Sequence, residues 1–465
     1  MVRLGWLVAL VAAAAVVVIA AAAPAGAREG CGVPAAPSWT ATERAVWRQL
    51  CAGQLFDFNS EAQTVEENLD PHQPGGWDET RVLSSAFVEQ LLDEPYAPVI
   101  DRHGIFLGGA WFPGGLDIHE ATIGFPLRCQ FCRIAGMQAY DAVIDGDFDL
   151  QGSAIEGDLT LLGADLRSDL YVSGGSVVSG TLNADRLTVA GDVFLDGGSR
   201  FAGIRLLGAG IGGQLAVDEG SVVSGTLAAD GLTVAGDVFL DVGSRFADID
   251  LLGAEVGGLI LLNGARWEPG GSLDLRQADV GGVSTDERAD SLPQRLELDG
   301  FTFEQWANPD PRDLGAGWFL GTWLGRGEEF SPGPYDRLAA VMDAGGHPTI
   351  AADIRYHRSD EERLVTPWTR PERWGRMLHW LVLGYGYRPW WALGWFFAAW
   401  VTGFFVLWLR PGARAGLARL RPVPRGEWSV GQAALFSLDR LVPAVSLADP
   451  DGFPPRTRAQ QLWSV

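Results

Sequence analysis

The stretch SVVSGTLNADRLTVAGDVFLDGGSRFAGIRLLGA, residues 176–209, returns 45 positions later as SVVSGTLAADGLTVAGDVFLDVGSRFADIDLLGA, residues 221–254, with 29 of 34 residues identical. A globular core surrounds each side chain with non-repeating neighbours, so a second copy of such a block has nowhere to pack. A solenoid accepts it, because each coil touches only the coils beside it. The chain is therefore read as a repeat protein.

Outward from the duplication, short bursts of alternating polarity run along the chain: Asp147-Phe-Asp-Leu150, Asp158-Leu-Thr-Leu161, Asp169-Leu-Tyr-Val172, Asp192-Val-Phe-Leu195, Gln214-Leu-Ala-Val217, Asp237-Val-Phe-Leu240 and Ser272-Leu-Asp-Leu275. Glycines separate them, and successive starts lie 11 residues apart or close to a small multiple of that. Strands of four residues with a turn after each cannot build long hairpins, but they can wind as a parallel β-helix. The fold class expected is mainly β, a right-handed parallel β-helix over residues 101–303. With two bursts per coil of roughly 22 residues, this gives about nine coils, and the duplicated block is two of them. Alternation turns Leu159, Leu161, Val193, Leu195, Leu215, Val217, Val238 and Leu240 inward and leaves Asp158, Thr160, Asp192 and Asp237 outside or at corners. The copies differ at Arg186/Gly231, Gly203/Asp248 and Arg205/Asp250, changes that an exposed wall tolerates and a packed interior does not.

The flanks read differently. Residues 4–27 are an uncharged apolar run after Arg3, ending in Ala25-Gly-Ala27, which fits a secretory signal cleaved after Ala27 or, if retained, an anchor over 1–27. Either reading exports the remainder of the chain. An N-terminal helical cap is expected over 28–100. Thr40 and Glu43 stand at capping-box spacing before a helix that Gly53 ends, and a second helix is expected over 78–92. After the rod, 304–366 reads as a helical hairpin with its turn at Gly345-Gly346, and 367–388 as a juxtamembrane linker. Residues 389–409 carry no charge and read as a transmembrane helix, followed by a basic segment over 410–465.

Charge excludes one class. The 35 basic residues are all arginine and are outnumbered by 58 acidic ones, for a net charge of -23, so phosphate-backbone binding is disfavoured and no nucleic-acid partner is expected. The missing lysine fits biased codon usage and carries no mechanism. Export makes disulfides available to the four cysteines, of which Cys31 and Cys51 are the favoured pair. Cys129 and Cys132, three apart on a strand that should face them oppositely, read as buried thiols.

Ile105-Phe-Leu-Gly-Gly-Ala110, Gly115-Leu-Asp-Ile118, Pro334-Tyr-Asp-Arg-Leu-Ala339 and Gly384-Tyr-Gly-Tyr-Arg-Pro389, with centres such as Gly163-Ala-Asp-Leu166, resemble actinobacterial membrane-associated pentapeptide-repeat-like proteins with bactofilin-like Gly-Asp turns. The resemblance spans most of residues 40–465. It implies a flattened or quadrilateral β-helix, a helical hairpin and membrane segments, with no catalytic residue to carry over. Some members carry an oxidoreductase label. It also likens Phe436-Ser-Leu-Asp-Arg-Leu-Val-Pro443 to a pore-loop segment.

The oxidoreductase label has one motif to stand on. Gly208-Ala-Gly210-Ile-Gly212-Gly213 matches GxGxxG, but a helix must come next for its N-terminus to hold a pyrophosphate, and a strand burst comes instead. One repeat block later, Glu255 replaces the second glycine. Asp149, Asp158, Asp192 and Asp237 resemble the carboxylates of a polysaccharide-cleaving groove but recur because the repeat recurs, as turn residues do. Asp117, His119 and Glu120 make a weak metal set. The sequence thus assigns no catalytic residue, cofactor or metal. One surface stands out: Phe194, Phe239, Leu259 and Leu261 occupy outward positions and form a candidate partner surface, unless the N-terminal helices or the hairpin cover it. The function expected is a non-enzymatic, membrane-anchored β-helix scaffold of the bacterial envelope, binding a partner or itself through this wall. The alternatives are a channel-like or sensor membrane protein and a β-helix carbohydrate-active enzyme.

Overall fold

The computed structural model describes residues 31–61, 69–386 and 390–409. The signal or anchor over 1–27, the basic segment 410–465 and the pore-loop-like 436–443 lie outside the described residues. The chain forms two compact units, one running to Leu298 and including Thr302–Pro309, the other comprising Asp299–Phe301 and the chain from Asp310.

The first unit is a parallel β-solenoid of about nine coils. Phe148 pairs with Leu170 and Leu170 with Val193, and the same column continues through Leu215, Val238, Ile260 and Val283, one residue per coil. The duplicated block is thus two coils. Each coil presents inward residues on both of two parallel sheets, at least two on each. In one coil these positions are Val178, Leu182, Val189 and Val193, and in the next Phe201, Ile204, Ile211 and Leu215. All eight are buried, as are all eight residues expected inside. Each such side chain contributes roughly 1.5–3 kcal/mol of apolar burial before its ordering entropy is subtracted.

The recurring Gly-Asp pairs build the corners. Asp158, Asp169, Asp192 and Asp237 each accept through Oδ1 from a backbone N–H one coil on, those of Thr181, Asp192, Gln214 and Leu259, at 2.7–2.8 Å. This approach requires glycine beside the carboxylate. A Cβ at Gly180, Gly191, Gly213 or Gly258 would stand 2.0–2.3 Å from that same oxygen.

The N-terminal helices close the first coil. Helix α1 (Ala41–Cys51) has the expected capping box between Thr40 and Glu43. The expected helix over 78–92 is shorter: a 3₁₀ turn at Glu79–Arg81, an extended stretch, then α2 (Ser85–Leu92). The extended stretch has a reason, since Val82 bridges Trp111 and the Leu83 N–H donates to the Trp111 carbonyl, drawing the chain onto the sheet. Ser84 then caps α2 and donates to Glu43, tying the helices together. Burial raises the Glu43 pKa, but the hydrogen bonds from Ser84 and Thr40 outweigh it and hold the carboxyl below its usual range. Phe56–Asp57 pairs with Leu107–Gly108 and adds a strand at that end.

Cys31 and Cys51 are joined by a disulfide with Cα atoms 5.1 Å apart. Cys129 and Cys132 are joined too, with Cα atoms 5.9 Å apart, so the expectation of buried thiols is corrected. Strand alternation would send them to opposite faces, but Phe131 has φ 53, and this left-handed residue turns the corner so that both sulfurs face inward.

In the second unit, α3 (Pro332–Ala344) and α4 (Pro348–Val365) flank Gly345-Gly346. Asp336 pairs with Arg358 and Asp343 with Arg355, an order that makes the helices antiparallel. The residues expected as a linker hold a helix, α5 (Pro371–Leu383), ended by left-handed Gly384. Helix α6 (Trp390–Leu409) covers the expected transmembrane segment. Among the described residues, however, no helix is long and apolar enough to cross a membrane. The membrane span expected over 389–409 is therefore not established by the structure.

A candidate interaction wall and its carboxylate edge

On the outer face of the larger sheet, the register aligns Tyr171, Phe194, Ala216, Phe239 and Leu261 on five successive coils. Parallel in-register pairing repeats every ~4.8 Å, so equivalent side chains stack directly. Tyr171 and Phe194 stack with centroids 5.0 Å apart and planes 11° from parallel. The Tyr171 hydroxyl donates to Asp169 Oδ2 at 3.0 Å. Burial and that carboxylate both push the phenol pKa up, keeping the hydroxyl neutral. Ala216 is buried and the other four rungs are half-buried. The N-terminal helices α1 and α2 pack instead on Phe56–Asp57 and Leu116–Asp117, at the start of the rod.

Three of the four residues singled out in the sequence, Phe194, Phe239 and Leu261, share this column. Leu259 does not. It stands in the neighbouring column that Asp169, Asp192, Gln214 and Asp237 occupy below it, and pairs with Gly282. Tyr171 and Ala216 complete the ladder, and moving one coil to either side of Phe194 in the sequence would have found both.

Two residues beyond each rung lies a second column, Asp196, Asp218 and Asp241, continued by Asn263. Each aspartate opens a turn that ends in a buried serine, Ser199, Ser221 and Ser244. Burial pushes the carboxyl pKa up in all three, to about 7 at Asp218 and about 6 at Asp241, and like charge adds at Asp218 from Asp196, Asp241 and Glu219. Ser199 donates to the Asp196 carbonyl at 2.7 Å. Among the described residues, Asp218 Oδ1, Asp241 Oδ1 and the hydroxyls of Ser221 and Ser244 are buried without a hydrogen bond. The Asp-x-Gly-Ser spacing was visible in the sequence as part of the repeat, but nothing in it distinguished these aspartates from those at the Gly-Asp corners.

The other sequence candidates do not converge on a site. Gly208 sits in a left-handed turn, Gly210–Ile211 is a strand, Gly213 lies against Asp192, and the strand Leu215–Ala216 comes next, so the glycine motif opens no helix. Asp158, Asp192 and Asp237 are bonded to backbone, while Asp149 accepts from Gln130 and from the Gln151 N–H. A shallow hollow of about 730 Å³ near Trp267, Arg288 and Asp286 includes none of these four. His119 Nδ1 lies 2.6 Å from Asp117 Oδ1 and its ring stacks on Tyr140. The Asp117 hydrogen bond raises the His119 pKa. Among the described residues, no group of three His, Cys, Asp or Glu side chains is placed to hold a metal ion. No family model matches the chain, and neither a curated protein nor a solved structure matches it.

Proposed function

We propose that the protein is a membrane-anchored, non-enzymatic scaffold whose exported, right-handed β-helix offers its aromatic ladder to a partner protein. The observation that carries this reading is the ladder itself, five outward residues in register and half-exposed over most of their length, an arrangement suited to an extended surface rather than to a pocket. Right-handed winding follows from the twist preference that governs parallel crossovers. Anchoring is supported by the uncharged sequence of α6 and by the exposure of its Leu393 and Phe397 (69% and 59%), and export by the apolar run at residues 4–27. The resemblance to membrane-associated pentapeptide-repeat-like proteins belongs to the same reading.

The partner is a basic one. Asp192 and Asp237 flank the ladder along one side and are half-exposed, so a segment carrying arginine or lysine beside apolar residues complements the wall. A second copy of this chain, with net charge -23, is repelled at neutral pH. The test is a photo-reactive amino acid placed at residue 194 in growing cells, with residue 202 on the other sheet as control. A single heavier adduct is expected from 194 and not from 202, lost with Phe239→Ser and weakened by salt. Absence of the adduct overturns the reading, as does equal reaction at 202; an adduct of twice the chain mass transfers the wall to self-association. Protection of the rod from external protease in permeabilised envelopes overturns export.

A further inference from the structure

We infer that α5 is an interfacial helix, lying in the headgroup layer of a lipid bilayer with Trp374, Leu378 and Leu381 facing the acyl chains; this rests on the membrane reading of α6 given above. The side chains it leaves in water are large and apolar: Trp374 is 56% exposed, Leu378 63% and Leu381 40%, with Trp368, just before the helix, at 59%. Positions 374, 378 and 381 are spaced i, i+4, i+7 and fall on one face. The opposite side is held within the unit. Arg373 is buried and donates to the carbonyls of Leu364 and Thr366, Arg376 donates to Glu362 at 2.7 Å, and the Trp380 indole to the Tyr356 hydroxyl at 3.0 Å. The exposed face is therefore oriented by hydrogen bonds to α4 and does not rotate away from water.

Two observations select a bilayer as the occupant of that face. First, the end of α5 packs against the start of α6. The Trp395 indole donates to the Leu381 carbonyl at 2.7 Å, and Trp380 and Trp391 rings meet at 6.0 Å. A bilayer that surrounds α6 therefore reaches the Leu381 end of α5. Second, the composition of the face is that of a membrane–water boundary, with tryptophan beside leucine and the exposed Arg370 at the N-cap, next to the anionic headgroup layer.

The experiment uses the full chain in vesicles of phosphatidylcholine with one third phosphatidylglycerol. Because Cys31, Cys51, Cys129 and Cys132 are bonded in pairs, an introduced cysteine is the free thiol. An environment-sensitive fluorophore is attached to Leu378→Cys, to Leu381→Cys as a second position, to Phe397→Cys in α6, and to Asp353→Cys on α4 as the water reference. The probes at 378 and 381 are expected to emit to the blue of that at 353. They should be quenched at least twofold more by a nitroxide near the lipid headgroup than by one near the chain end, with the reverse order at 397. Quenching at 397 with water-like emission at 378 and 381 overturns this inference and leaves the membrane reading intact. Blue-shifted emission there without quenching by either lipid means that protein covers the face, and overturns it as well. No quenching at 397 removes the membrane reading and the inference with it.

Discussion

Two columns that hold aspartates run along the same solenoid, and the structure treats them oppositely. Asp169, Asp192 and Asp237 each satisfy a backbone N–H one coil on. Asp218 and Asp241 leave a buried oxygen without a partner. The first column is part of the backbone's own hydrogen bonding, and its carboxylates help to hold successive coils in register. The second is a row of protonatable groups that the repeat brings within one coil of each other. Periodicity multiplies whatever a corner does: a good hydrogen bond becomes a ladder of bonds, and a like-charge contact becomes a ladder of repulsion.

The largest effect is expected where the bonded column is broken by bulk. In Gly213→Ala the new Cβ meets Asp192 Oδ1 at 2.0 Å and the Gly191 carbonyl oxygen at 2.8 Å. The carboxylate must leave and the Gln214 N–H loses its acceptor, so a loss of about 3 kcal/mol is expected in urea unfolding at pH 7. A loss below about 1 kcal/mol would show that the corner relaxes freely. Removing the acceptor alone, in Asp192→Ala, exposes the same N–H without the clash and is expected to lose about 2 kcal/mol. The same variant separates the structural reading of this aspartate from the groove-carboxylate reading, because it acts on stability whether or not any saccharide is present.

The unbonded column gives a pH dependence of definite sign. The Asp218 carboxyl titrates at about 7 in the folded protein against an ordinary value of 3.8, so the fold holds its proton more tightly than the unfolded chain does. Its contribution to stability is fully present below about pH 4, declines as pH rises, and is gone above about pH 7. Asp241 loses its contribution by about pH 6. Asn263 already occupies a later position of the column, so Asp218→Asn places an amide where the repeat accepts one. The variant is expected to be about 1–2 kcal/mol more stable than the parent at pH 8, after solvent screening is allowed for, and indistinguishable from it near pH 4. A parent whose melting temperature is flat between pH 4 and 8 would remove the difference between the two columns.

How much of this was legible depended on whether a feature repeats or turns. The coil length follows from the 45-residue offset, and the inward residues Val193, Leu195, Val238 and Leu240 follow from alternation, because stacked parallel strands preserve both. The capping box of α1 is local and was legible for that reason. What failed was the geometry of corners. Nothing in the sequence marks Phe131 as left-handed, so alternation carried past it placed Cys129 and Cys132 on opposite faces. The 3₁₀ turn and late start of α2 depend on Trp111, which lies beyond that helix on the first coil and takes the Leu83 N–H. The Asp196, Asp218, Asp241 column was in plain view but looks like its bonded neighbour, since whether a carboxylate finds a donor is set by backbone direction at the turn.

The smallest expected effect lies in the turn that carries the unbonded column. Its two central residues are left-handed in every copy: Gly197 and Gly198 at φ 66 and 78, Glu219 and Gly220 at 52 and 82, Val242 and Gly243 at 46 and 82. Glycine adopts this region freely, whereas a β-branched residue is strained there, and Val242 has no packing to offset the strain, being 60% exposed. Val242→Gly restores what Gly197 provides in the first copy. The unfolded chain gains entropy from the new glycine, which opposes the relief, so a net gain of about 1 kcal/mol is expected in urea unfolding. The measurement also bears on the neighbouring carboxylate. If the strained turn holds Asp241 in its buried position, Val242→Gly lowers the pH at which that group's contribution disappears, and the stability profile of the variant shifts to acid as well as upward. If the profile moves upward at all pH values by the same amount, the strain and the buried carboxylate are independent, and the unbonded column follows from the register of the coils alone.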